Sequence, residues 1–112
     1  MTAPATAPAT LAPTARIRLL DNGLALLVET MPQVRSAALT LLVPTGAAHE
    51  TEGRDGSAAM LCEWITRGAG DRDSHQLLSA LEDLGVNHGE SASTFHTALT
   101  ASTLAANLPP TL

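Results

Sequence analysis

The stretch from Gly56 to Gly70 constrains the fold of this 112-residue chain more than any other. It contains no proline and has glycine at both ends, a pattern typical of a helix between two breakers. Its apolar residues recur at helical spacing and form one stripe, Ala58, Leu61, Cys62 and Ile65. Ala59 and Glu63 lie one turn apart beside that stripe. We therefore predict a core helix between a strand-rich N-terminal half and a second helical unit.

Composition excludes several classes of protein. The apolar content of 45% suits a folded domain, but the aromatic content of 2% leaves Leu, Ala and Val to fill the core. All six basic residues are Arg, the net charge is -5, and no basic cluster exists to neutralise nucleic-acid phosphates. No apolar run approaches the ~18 residues of a membrane span. Cys62 is the only cysteine, and we interpret it as a small buried thiol.

The first residues, Met1 to Ala15, are rich in Ala, Pro and Thr and lack the basic and apolar regions of a secretory signal. We expect a disordered tail there and a cytoplasmic location. The ordered part, residues 16–112, is then predicted to start with a hairpin. Its strands, Ile17–Leu20 and Leu24–Glu29, flank an Asn-Gly turn, the strongest short hairpin signal.

A third strand is predicted over Ser36–Val43, where nearly unbroken apolar residues indicate cover on both faces. Asp73 and Gln76 stand in capping-box positions at the start of a second helix, and Gly85 suits its C-terminal end. A polar edge strand over Val86–Ala92 and a stronger strand over Ser93–Thr103, with Phe95 in its alternating pattern, complete the sheet.

Asn107 is predicted to cap a further helix that has no room to form before Leu112. A sheet left uncovered there would have exposed strand edges. We expect residues 16–112 to be the front part of a larger domain.

The order of these features resembles the N-terminal part of the insulinase/pitrilysin/processing-peptidase family of zinc metallopeptidases. Five matches carry the resemblance: Asn22-Gly23-Leu24 in the first hairpin, Gly46 followed by Glu50, Gly56 and Gly68 around the first helix, Leu77, Leu81, Leu84 and Gly85 at the second, and Thr97 and Leu99 in the last strand. It implies a truncated α+β metallopeptidase-like domain, with an antiparallel-rich sheet and helices packed on one face.

The chain departs from the family at the zinc motif, His-x-x-Glu-His. Counting from Gly56, Ala59 replaces the first histidine, Cys62 the general-base glutamate and Glu63 the second histidine. A catalytic zinc needs about three protein ligands and a carboxylate that activates water. We therefore expect no catalytic residue, no metal and no cofactor in this segment, with zinc only in an active partner or domain.

Other candidate metal sites are equally poor. Cys62 and Glu63 are adjacent on the helix and point about 100° apart, so they converge poorly on one ion. The four histidines show no metal-ligand spacing, and we expect each to be solvent-exposed: His49, His75, His88 and His96.

Gly89 and Glu90 map to the family's Asn-Ala on the edge strand that pairs with substrate, although the Asn is lost. A peptide can still pair there through main-chain hydrogen bonds; the alternative is an ordinary edge strand without peptide contact. The first hypothesis for function is a non-catalytic subunit or domain that completes a peptide chamber with an active partner of the family. The alternatives are part of an active enzyme whose His-x-x-Glu-His site lies elsewhere in the full protein, and an unrelated small α+β interaction module.

Overall fold

The computed structural model describes residues 15–112, which divide into two units, one ending at Val34 and the other spanning Arg35–Leu112. The predicted N-terminal tail therefore lies outside the described residues, except for Ala15, which begins the first strand. In chain order the elements are β1 (Ala15–Leu19), β2 (Ala25–Glu29), β3 (Ser36–Val43), a 3-10 turn (Ala47–His49), α1 (Ser57–Ile65), β4 (Gly68–Ala69), β5 (Arg72–Asp73), α2 (Ser74–Asp83), β6 (Asn87–Ala92), β7 (Thr97–Leu104), a second 3-10 turn (Ala105–Asn107) and α3 (Leu108–Thr111).

The first unit is the predicted antiparallel hairpin of β1 and β2. Gly23 adopts φ +85°, a conformation that glycine reaches without the steric cost of a side chain. The Asn22 side chain accepts a hydrogen bond from the Leu24 N–H at 3.1 Å. The Asn-Gly signal therefore identified this turn correctly.

The second unit contains an antiparallel sheet with strand order β3-β7-β6. Residues directly opposite each other in antiparallel strands share a face, so the register places Leu41, Leu99 and Glu90 in one row. This face also carries the most buried positions of β7, Thr97 and Thr103, and the Thr103 hydroxyl donates to the Leu84 carbonyl at the end of α2. Helices therefore cover this face.

The opposite face of the sheet differs from the prediction. Cover on both faces of β3 was expected, but Leu42 is 55% exposed and the strand alternates between exposed and half-buried positions over most of its length. Within residues 15–112 the helices pack on one side alone, so the continuous apolar run does not indicate two-sided burial here.

Both helices lie close to their predicted positions. α1 ends at Ile65, and the glycines that follow form the short β4-β5 hairpin rather than the helix end. α2 starts with the predicted capping box: the Asp73 side chain accepts from the Gln76 N–H at 2.9 Å, and the Gln76 side chain accepts from the Asp73 N–H at 3.1 Å. Gly85 has φ +62°, as expected for a left-handed C-terminal position.

Several predictions near the end of the chain were wrong. β7 starts at Thr97 rather than Ser93, because Ser93 and His96 close a turn through their main chains and the Ser93 hydroxyl. Phe95 lies on that turn and is 67% exposed, so it does not belong to the inward pattern. Asn107 gives no side-chain cap to α3, which does form over four residues; its amide instead donates to the Leu84 carbonyl at 2.9 Å.

The buried core is small. Among the described residues, Ala58 is the one apolar side chain below a tenth exposed, at 6%. Large apolar side chains such as Leu19, Met60 and Trp64 are half or more exposed. No helix in the described part of the chain is long and apolar enough to cross a membrane.

Candidate functional site

The N-terminus of α1 is held by a carboxylate from outside the helix. Gly56 occupies the N-cap position with φ +90° and has no side chain to accept a hydrogen bond. Glu50 supplies the missing acceptor: its Oε1 accepts from the Ala58 N–H at 2.8 Å and its Oε2 from the Gly56 N–H at 2.9 Å. These two N–H groups, Ala58 foremost, lower the pKa of Glu50 below its ordinary value, because they stabilise the ionised carboxylate.

Glu50 is in turn placed by a close backbone contact at Gly46. The residues after Gly46 bind the β6-β7 turn through Ala47 N–H to Ser93 O at 3.0 Å and Ala48 N–H to Thr94 O at 2.7 Å. A Cβ on Gly46 would lie 2.4 Å from the His96 nitrogen, so glycine is required by space rather than by its φ of -75°. The loop that presents Glu50 is therefore fixed to the end of the sheet.

Ala59, Cys62 and Glu63, which the resemblance aligns with the zinc motif, all lie on α1, but they do not form a ligand set. Ala59 and Glu63 are exposed and Cys62 is half-buried. Ala59 has no donor atom, and no group of three His, Cys, Asp or Glu side chains within residues 15–112 could hold a metal ion. The residues present do not fit a catalytic zinc, which needs several converging donors and an activating carboxylate.

The candidate substrate-contact residues lie on β6, beside α1. β6 contacts α1 and forms one end of the strand order in the described sheet, so its outer edge carries main-chain groups that no described strand pairs. Glu90 points to the helix-covered face, as its register partner Leu99 does. Position 89 belongs to the opposite face of the sheet, and the Gly89 carbonyl accepts a hydrogen bond from the Thr100 hydroxyl at 3.0 Å.

The structure adds a partner for Glu90 that sequence reasoning missed. The His88 Nδ1 lies 3.0 Å from the Glu90 Oε1, and the two side chains are 29% and 20% exposed. Residues two apart in a strand share a face, so the His-x-Glu spacing on a predicted strand was the signal that could have found this pair. The expectation that every histidine is exposed was wrong for His88 and also for His96, which is half-buried.

The other two histidines lie on other elements. His49 and His75 are exposed on the loop before α1 and at the start of α2. Two open concavities of about 500 and 410 Å³ flank the first half of α1. Apolar side chains of α1, including Leu61 and Trp64, line the larger of them.

Comparison with known proteins gives concordant matches. The family model for insulinase, peptidase family M16, matches residues 25–112. Mitochondrial-processing peptidase subunit beta of Lentinula edodes is 30% identical over 77 residues, which cover 69% of this chain and 16% of that protein. An uncharacterized zinc protease of Rickettsia bellii is 32% identical over 66 residues, which cover 59% of this chain and 16% of that protein.

A comparison with solved structures agrees with these sequence matches. The crystal structure of pitrilysin is similar with a TM-score of 0.75 and 26% identity, over 86% of this chain and 10% of the pitrilysin chain. This likeness confirms the predicted α+β fold with an antiparallel sheet. The chain spans 16% of the length of each curated relative above, so those proteins are several times longer than the segment described.

Proposed function

Because the chain belongs to the insulinase family, peptidase family M16, we propose that it is part of a non-catalytic subunit or domain that presents peptide to an active partner of the same family. The observation that carries this proposal is a preserved scaffold without its ligands. α1 is capped and packed against β6, yet Ala59, Cys62 and Glu63 stand where a zinc site needs two imidazoles and a carboxylate.

The edge of β6 supports the peptide-binding half of the proposal. An extended peptide can add to an exposed sheet edge through main-chain hydrogen bonds, which require no particular side chain. Loss of the family's Asn at Gly89 therefore leaves this mode of binding available.

The relatives support the partnership. One of them is named as the beta subunit of a processing peptidase, so a protein of this family can act as one subunit among others. Another is named as a zinc protease. A chain with a degenerate motif would then supply chamber wall and peptide-pairing edge, while zinc and the water-activating carboxylate come from the active partner.

The test is performed on the full-length protein, purified without any partner. Elemental analysis gives the zinc-to-protein ratio, and a quenched fluorescent peptide reports hydrolysis. We expect zinc well below one equivalent and no hydrolysis, together with measurable binding of extended peptides. Near-stoichiometric zinc with hydrolysis in the absence of a partner would overturn the proposal and favour the alternative, an active enzyme whose His-x-x-Glu-His motif lies elsewhere in the same chain.

A further inference from the structure

We propose that Glu90, positioned by His88, makes the β6 edge selective for peptides with a basic side chain opposite it. This inference rests on the proposed peptide binding at β6 and adds the class of peptide. It concerns a residue that differs from the family pattern quoted above, since Glu90 stands where the family has Ala. The selectivity would be a property of this chain rather than of the fold.

The geometry places the Glu90 carboxylate on the helix-covered face of β6. His88 and Glu90 both project from the helix-covered face of β6, and the 3.0 Å contact between Nδ1 and Oε1 orients the carboxylate. An N–H at Nδ1 donates to the Glu90 carboxylate, and with a neutral ring the pair carries one negative charge. His88 is thus a positioning residue and Glu90 the group that meets the peptide.

The carboxylate retains capacity for a second partner. His88 Nδ1 is the hydrogen-bond partner that the described residues provide for Glu90, and it contacts Oε1. The other oxygen can accept from a ligand, and at 20% exposure the side chain is partly shielded from water. Partial desolvation strengthens an ion pair relative to one on an open surface. No Arg side chain within residues 15–112 forms an ion pair with it.

Strand addition would bring a peptide side chain within reach. Directly opposite residues of paired strands have Cβ atoms about 4.5–5.5 Å apart and lie on the same face. The peptide residue opposite Glu90 would therefore project towards the same helix-covered side. Opposite charges at such a pair are favourable and like charges unfavourable, so Arg or Lys is selected and Asp or Glu is rejected.

The nearby surface of α1 also carries negative charge. Glu63 is exposed on α1, the helix that contacts β6, and it replaces an imidazole of the family motif. The chain as a whole carries a net charge of -5. These charges add long-range attraction for a basic peptide, while the paired position of Glu90 supplies the discrimination between residues.

The experiment uses the full-length protein and fluorescein-labelled extended peptides built from Thr and Val, with one Arg moved through the internal positions. Each Arg peptide has a counterpart with citrulline, which is uncharged and close in shape. Fluorescence anisotropy gives the Kd. For the best Arg position we expect binding about five-fold tighter than its citrulline counterpart, the upper range for a partly exposed ion pair.

Three variants test which residues produce the preference for Arg peptides. Glu90→Gln keeps the side-chain shape and should abolish the Arg preference while citrulline peptides still bind. Glu82→Gln, the same substitution on an exposed position of α2, should retain the preference. His88→Gln should reduce it, because the carboxylate is less well oriented.

The outcomes separate this inference from the proposed function. Peptide binding without any Arg preference, or a preference that persists in Glu90→Gln, would refute the charge selection and leave peptide presentation intact. A preference equal to wild type in His88→Gln would refute the positioning role. Failure of every peptide to bind the wild-type protein would refute both proposals.

Discussion

The substitution Gly46→Ala should destabilise the protein through a single methyl group. Gly46 has φ -75° and ψ 179°, an extended conformation that alanine adopts without backbone strain. The added Cβ, however, would lie 2.4 Å from the His96 nitrogen, 2.5 Å from the Ser93 oxygen and 2.6 Å from the Phe95 carbonyl carbon. All three are main-chain atoms, so a side-chain rotation cannot relieve the clash.

The magnitude follows from the movement required. To take the His96 nitrogen from 2.4 Å to an ordinary contact at 3.4 Å, the two segments must separate by about 1 Å. The hydrogen bonds from Ala47 to Ser93 (3.0 Å) and from Ala48 to Thr94 (2.7 Å) span the same gap. Each contributes about 1 kcal/mol net, and overpacking costs about 1–3 kcal/mol. We expect the free energy of unfolding to fall by about 3–5 kcal/mol.

The assay is urea denaturation of the full-length protein, combined with hydrogen exchange at the Ala47 and Ala48 amides. Gly89→Ala is the matched control, because Gly89 lacks a positive φ and its Cβ would meet the Thr100 hydroxyl at 3.4 Å. The control should stay within about 1 kcal/mol of wild type. If Gly46→Ala matches the control in both measurements, the steric argument is wrong.

Three further predictions concern hydrogen bonds. Glu50→Gln should destabilise the start of α1 at neutral pH, with Glu52→Gln as control. Because folding lowers the pKa of Glu50, its stabilising effect is present above pH 4.5, the ordinary pKa of the carboxyl, and is lost as the pH falls through the lower pKa of the folded state. The free energy of unfolding from urea titrations should therefore change less with pH across this range in the variant. Thr103→Val should lower the free energy of unfolding by about 1 kcal/mol, since it removes the buried hydroxyl that donates to the Leu84 carbonyl, while Asn107 still donates to that carbonyl. Asp73→Ala should also lower it by about 1 kcal/mol, because the capping box opens; Asp71→Ala, at an exposed turn position, should change it little.

Local signals identified most of the fold. The Asn-Gly turn, the Asp73–Gln76 capping box and the left-handed position of Gly85 each depend on a few consecutive residues, so the pattern alone specifies them. The same holds for β3, whose observed bounds equal the predicted ones. The prediction for Asn107 failed because a distant group decided the outcome, since its amide bonds to Leu84 rather than to its own helix.

The candidate site divides in the same way. The family resemblance, counted from Gly56, assigned Ala59, Cys62 and Glu63 to the zinc-motif positions, and the helical spacing that puts all three on α1 is a local property of the sequence. The pairing of His88 with Glu90 could have been anticipated from the two-residue spacing on the predicted strand Val86–Ala92, because residues two apart in a strand share a face. The role of Gly46 could not, because its requirement comes from main-chain atoms of the β6-β7 turn, far away in sequence.

The sequence by itself determined the order of elements, the family and the absence of histidine from α1, because side-chain chemistry and short-range periodicity can be read directly from the residues. Only the tertiary structure decided what holds α1 in place. Gly56 cannot cap the helix, and Glu50 does so from six residues earlier, on a loop fixed by the contact at Gly46. That arrangement depends on distances between segments brought together by folding, and the one-dimensional pattern contains no such distances.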